Sequence, residues 1–128
     1  MSKMRKIVYV IDDDESVRRS FQRLLRSAEI ECEIFSSPEE FLSIARQDQN
    51  TCIITDIRMP VSTGLDLTEK LRSLSIEIPV IVVSASDDPQ TREYAREVGA
   101  VAFFQKPVDD QALLDAIWWA MSRREEGS

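Results

Sequence analysis

The sequence predicts an α/β protein, five strands alternating with five helices, folded as one parallel sheet covered on both faces. Three observations carry this. Short apolar runs rich in β-branched residues, such as residues 7–11 and 79–83, are too short for helices and do not alternate, which suits strands buried on both faces. Between such runs apolar residues recur at helical spacing, most clearly Val17, Phe21, Leu24, Leu25 and Ala28. Helix punctuation falls between the two kinds of segment, with Ser37-Pro38-Glu39-Glu40 reading as a capping box and Gly99 as a left-handed helix end. Strand-helix alternation of this kind builds a parallel sheet with right-handed crossovers.

In chain order, β1 is expected at residues 7–11 and stops at Asp12, Asp13 and Asp14. Helix α1 follows from Ser16 to about Ala28. Strand β2, residues 31–35, sets Glu31 and Glu33 against Cys32 and Ile34, an alternation that suits a sheet edge. Helix α2 opens at Pro38 and should bury Phe41, Leu42 and Ala45. Strand β3, residues 51–55, ends at Asp56. Thr63 caps α3, residues 64–74, whose stripe is Leu67, Leu71 and Leu74. Strand β4, residues 79–83, ends at Ser84, and Asp88-Pro89 opens α4, which runs to Gly99. Strand β5, residues 101–104, leads to Lys106-Pro107, and Asp109 caps α5 through Leu113, Leu114, Ile117 and Met121.

The 128 residues fit one domain, residues 1–128, with a core over 5–123 and a tail or linker start at 124–128. Apolar content of 43% and charged content of 30% are those of a globular chain. A net charge of −7 repels nucleic-acid phosphates, so direct DNA contact by this domain is not expected. There is no histidine, which excludes Ser-His-Asp triads and histidine metal sites. Cys32 and Cys52 lack CxxC spacing and read as buried free thiols. Neither a signal peptide nor a membrane span is expected, which makes the cytoplasm the default location.

In an open parallel sheet, ligands bind at the carboxyl ends of the strands, where strand order reverses. Four strands here end in residues able to do chemistry: Asp12 and Asp13, Asp56, Ser84, and Lys106. With the flavodoxin-like order 2-1-3-4-5, the first and third strands are neighbours, and Asp12, Asp13 and Asp56 share one pocket. Two carboxylates about 5 Å apart repel by about 3 kcal/mol at an effective dielectric near 20. A hard divalent cation relieves this, and Mg²⁺ suits a site of carboxylates, waters and a phosphate oxygen. Acids for a metal, an aspartate nucleophile, a hydroxyl and an ammonium together describe phosphoryl transfer to Asp56.

From VYVIDDD through ITDIRMPVSTG and VIVVSAS to FFQKP, the chain resembles a response-regulator receiver domain of bacterial two-component signalling. The resemblance implies Asp56 as phosphoacceptor, Asp12 and Asp13 as the acidic pair around Mg²⁺ (or Mn²⁺ in its place), and the Arg58 backbone carbonyl as a further metal ligand. Asp13 is then the direct ligand, with Asp12 acting largely through water. Ser84 and Lys106 contact the phosphoryl group, a cis peptide is expected at Lys106-Pro107, and a sensor histidine kinase is the donor. Phosphorylation draws Ser84 inward and an aromatic on strand 5 follows, reshaping the surface of α4, β5 and α5 for an output domain or a second copy. That switch position is Phe103, where the family often has tyrosine, so no hydroxyl is present to bond a carbonyl. Trp118 is expected on the apolar stripe of α5 and Trp119 on the wetter side, as a candidate interface anchor. Asp14 matches no core role and suits a helix cap.

Two other readings fit parts of the sequence. Asp12-Asp13-Asp14 also resembles the strand-1 motif of haloacid-dehalogenase-like phosphatases, with Asp12 as nucleophile and Asp14 as general acid; it would leave Asp56 without a role and lacks a later acidic pair for metal. The other is a receiver-like module that works by binding alone. The chain itself could be a stand-alone regulator or a receiver cut from a DNA-binding regulator.

Overall fold

Strand β1 (Lys6–Ile11) lies inside the sheet because it is apolar on both faces, and its neighbours are set by the same rule. A computed structural model describes residues 6–43, 50–56, 71–74, 77–85, 88–97 and 99–127. Its five strands, β1, β2 (Glu31–Phe35), β3 (Asn50–Asp56), β4 (Val80–Ser84) and β5 (Ala102–Gln105), pair in the order 2-1-3-4-5. Every pairing is parallel. β2, whose glutamates face water, takes one edge as its alternation required. β4, buried at all five positions, lies inside.

The pleat divides the core in two. Ile7, Tyr9, Ile11, Ile53, Val80 and Val82 point to one face, where they meet Phe41 of α2 (Pro38–Leu42), Leu71 and Ala95 of α4 (Pro89–Glu97). Val8, Val10, Cys52, Ile54, Ile81 and Val83 point to the other, against Phe21 and Leu25 of α1 (Glu15–Ser27) and Leu113, Ile117 and Met121 of α5 (Asp110–Gly127). The sheet is therefore doubly wound, with α1 and α5 sharing one face.

Local chemistry sets the helix ends. Asp14 caps α1, its Oδ1 accepting from the Ser16 and Val17 amides. Ser37 caps α2 by accepting from the Glu40 amide, while Glu40 reaches back to the amide and hydroxyl of Ser36, one residue before the cap. Asp109 accepts from the Ala112 amide at the start of α5. That helix continues to Gly127, through residues 124–127 that the sequence assigned to a tail.

Three further sequence expectations are corrected, and others fall outside the described residues. Leu74 is exposed, because a bond from its amide to the Leu71 carbonyl tightens the last turn and turns it off the stripe. Trp118 is exposed like Trp119, because the buried stripe of α5 centres on Leu113, Ile117, Ala120 and Met121, and Trp118 stands about 100° from Ile117. Cys32 is only partly covered on its edge strand, whereas Cys52 is fully buried; burial pushes both thiols up to about 12, so both stay protonated. Ala45, Thr63, Gly64 and Leu67 lie outside the described residues.

Helices α1 and α4 end in the same way. Ile30 donates to Leu25 and Glu29 to Arg26, as Ala100 donates to Ala95 and Gly99 to Arg96. This hydrogen-bond pair needs a left-handed residue. Gly99 takes φ 83° without a side-chain penalty, but at the matching place Glu29 adopts φ 60°. A side chain there costs roughly 1–2 kcal/mol, partly offset by the greater unfolded-state freedom of glycine. Glu29→Gly is expected to stabilise the chain by about 0.5–1 kcal/mol, read as a higher urea midpoint at unchanged slope.

Candidate functional site

The register assembles the site. Ile11 pairs with Thr55, so Asp12, the next residue, lies beside Asp56. Asp56 pairs with Val83, and Ser84 with Gln105, whose successor Lys106 donates its amide to the Ser84 carbonyl at 2.8 Å. Alternation then decides which side chains meet. Asp12 continues Val8 and Val10, Asp56 continues Cys52 and Ile54, and Lys106 continues Ala102 and Phe104, so all three stand on the α1/α5 face. The Lys106 ammonium donates to Asp12 Oδ2 at 3.0 Å and to Asp56 Oδ2 at 2.9 Å.

Asp12 is held tightly. It is almost fully buried, its Oδ1 accepts the Asp14 amide at 2.9 Å, and its carbonyl accepts the Arg18 guanidinium at 2.6 Å. Burial raises its pKa, and the Asp14 amide and Lys106 offset this only in part. Burial also opposes the charge on Lys106, but its bonds to Asp56 and Asp12 outweigh it and hold the ammonium above its ordinary range. The two directions agree. A desolvated acid is costly to ionise, and once ionised it holds its cation firmly.

The remaining predicted residues are dispersed around this centre. Asp13 is exposed at the rim, next to Asp12. Ser84 is buried at the end of β4, and Lys106-Pro107 is cis. Phe103 is half-buried on the opposite face, with the Arg92 guanidinium 5.0 Å from its ring centroid. Trp119 is half-exposed on α5. Arg58 lies outside the described residues. Asp14 is engaged as a cap, and its bond from the Ser16 hydroxyl heads the causes that hold its carboxyl below the usual range, the wrong direction for the general acid a phosphatase would need. Arg18 and Arg92 were missed. Arg18 stands one turn beyond the Asp14 cap, on the side of α1 that faces the strand ends, and that spacing was a usable signal. Arg92 gave none, since only the tertiary fold brings it to Phe103.

As a metal site the donor set fits in kind. One ammonium stands against the three carboxylates of Asp12, Asp13 and Asp56, leaving an acidic, all-oxygen surface of the sort Mg²⁺ takes. Among the described residues no three acids close into a ligand cluster, because Lys106 stands between Asp12 and Asp56. Beside Lys106, a groove of about 410 Å³ runs between Val17, Phe21 and Leu24 of α1 and Pro107 and Val108.

The raised pKa of Asp12 carries a sign for stability. Its folded pKa exceeds its unfolded one, so ionisation opposes folding above the ordinary carboxylate range and has no effect well below it. Asp12→Asn should therefore raise the thermal midpoint at pH 7, with a gain that shrinks as pH falls toward 4 or below. Lys106→Met should do the opposite, costing about 2 kcal/mol by removing the ammonium that both adjacent carboxylates bond.

Residues 8–118 match the family described as the response regulator receiver domain. Nodulation protein W of Bradyrhizobium diazoefficiens is 40% identical over 119 residues, covering 93% of this chain and 52% of that protein. Transcriptional regulatory protein FixJ of Rhizobium meliloti is 36% identical over 110 residues, covering 86% and 54%. The chain thus spans about half the length of these curated relatives. The solved structure of response regulator StyR superposes with a TM-score of 0.86 at 41% identity, covering 95% of this chain and 62% of that one. No helix among the described residues is long and apolar enough to cross a membrane. With this sheet order, and with Asp12, Asp56 and Lys106 meeting at the strand ends, the chain belongs to the response-regulator receiver family of two-component signalling, a family of phosphoacceptors rather than true enzymes.

Proposed function

We propose that residues 1–128 act as a single receiver unit that accepts a phosphoryl group on Asp56. The observation that carries this is the Lys106 ammonium lying 2.9 Å from Asp56 Oδ2 while held by Asp12. A carboxylate so placed is an accessible nucleophile with a fixed cation beside it. An Asp56 oxygen forms the new bond to phosphorus as the bond to the donor nitrogen breaks, and the donor imidazole leaves with that electron pair. The family implies a cognate histidine kinase as donor, and the apolar groove beside Lys106 is the approach for it.

The family typically uses Mg²⁺. Asp13, Asp12 and Asp56 would hold it here, with the Arg58 carbonyl as a further ligand. When bound, the ion neutralises charge on the transferring group. Lys106 moves its ammonium onto the phosphoryl oxygens, and the Ser84 hydroxyl donates to another. Water later cleaves the acyl phosphate and resets Asp56. The phosphorylated form presents α4, β5 and α5, including Phe103 and Trp119, to an output domain or a second copy. By likeness to FixJ, a transcriptional regulatory protein, the output regulates transcription if an output domain follows the receiver.

The test is intact mass after incubation with acetyl phosphate and Mg²⁺. One phosphoryl group is expected on the native chain, none on Asp56→Asn, and none after chelation of the metal. A label that survives Asp56→Asn and disappears with Asp12→Asn would instead make Asp12 the nucleophile.

A further inference from the structure

Phe103 pairs with Val82, and Ser84 lies two residues beyond Val82 on the same strand. Alternation therefore puts Ser84 and Phe103 on one face, the face covered by α4, while Asp12, Asp56 and Lys106 occupy the other. The Phe103 ring packs on the core at one side and meets the Arg92 guanidinium, 5.0 Å from its centroid, at another. Phenylalanine has no hydrogen-bonding group, so apart from packing this cation–π contact is what gives the ring a preferred place. Among the described side chains of α4 only those of Thr91 and Ala95 are buried, and both are small.

We propose that Arg92 is a positioning residue that ties α4 to the Phe103 ring, so that movement of the ring and movement of α4 become one event. The inference rests on Asp56 being the phosphoacceptor. A group on Asp56 that draws Ser84 toward it opens room on the face that Ser84 shares with Phe103. The ring takes that room either by leaving the guanidinium or by carrying α4 with it, and both oppose the change. Arg92 thereby does what a tyrosine hydroxyl cannot do here. It links the strand end to the helix through charge and ring face.

Beryllofluoride, which imitates an acyl phosphate, is the probe, with Mg²⁺ present and the full chain in every arm. Arg92→Gln is expected to tighten its binding about two- to fivefold, the range of a partly exposed cation–π contact, and Arg92→Lys to stay near native. Replacing Phe103 by 3,5-difluorophenylalanine withdraws charge from the ring face and should tighten binding in the same direction, but add nothing when Arg92 is already glutamine. Unchanged or weaker binding in Arg92→Gln, or an equal fluorine effect with and without Arg92, overturns the inference alone. Failure of the native chain to bind beryllofluoride, or binding that survives Asp56→Asn, overturns the phosphoacceptor reading and this inference with it.

Discussion

One ammonium between two aspartates holds the carboxyl end of the sheet together. Asp12 and Asp56 come from adjacent strands, and without a cation their repulsion at about 5 Å would be about 3 kcal/mol at an effective dielectric of 20. Lys106 directly follows β5, two strands from β3, and its long stem spans β4 to reach both. Such a contact requires the order 2-1-3-4-5, a register that ends these strands level, and matching pleat parity. A shift of one residue in β5 would send Lys106 to the α4 face and leave the acids facing each other.

Much of this was legible because the sequence writes it twice. Ile7 to Ile11 and Val80 to Val83 declare buried strands by composition, and the polar residues that terminate them declare where the sheet opens to water. Asp14, Ser37, Asp109 and Gly99 act as helix ends through bonds a few residues long, so local sequence contains both partners. What escaped depends on a third body. Trp118 sits beside a genuine apolar stripe, yet its burial depends on how far α5 rotates toward the sheet, and Leu113 and Ile117 set that rotation. Leu74 fits the helical period but falls where the last turn tightens. Arg92 and Phe103 are separated in sequence by Gly99 and the start of β5, and no periodicity joins them.

The pleat also explains a division of labour. Because side chains alternate, the acidic centre and the Phe103 ring cannot share a face, although β3, β4 and β5 bring their backbones within two strands of each other. The groove beside Lys106 lies on the α1 side, while the ring and α4 lie across the sheet. A change at Asp56 must therefore pass through the sheet rather than around it. A close-packed interior of Ile53, Ile54, Ile81 and Val82 does not yield to small pushes.

The end of β4 is where this barrier is weakest. Ser84 is the last residue of its strand, buried by position yet small, and its carbonyl is anchored by the Lys106 amide. Its backbone is thereby tied to the loop that carries the Lys106 ammonium, while its side chain belongs by parity to the Phe103 face. A displacement of Lys106 toward a new anion and a displacement of Ser84 are thus mechanically joined through one 2.8 Å bond. Charge at Asp56 acts on Lys106, Lys106 and Ser84 share a backbone contact, and Ser84 and Phe103 share a face. A sheet that keeps the two faces chemically separate can still transmit a signal at the one edge where a strand ends between them.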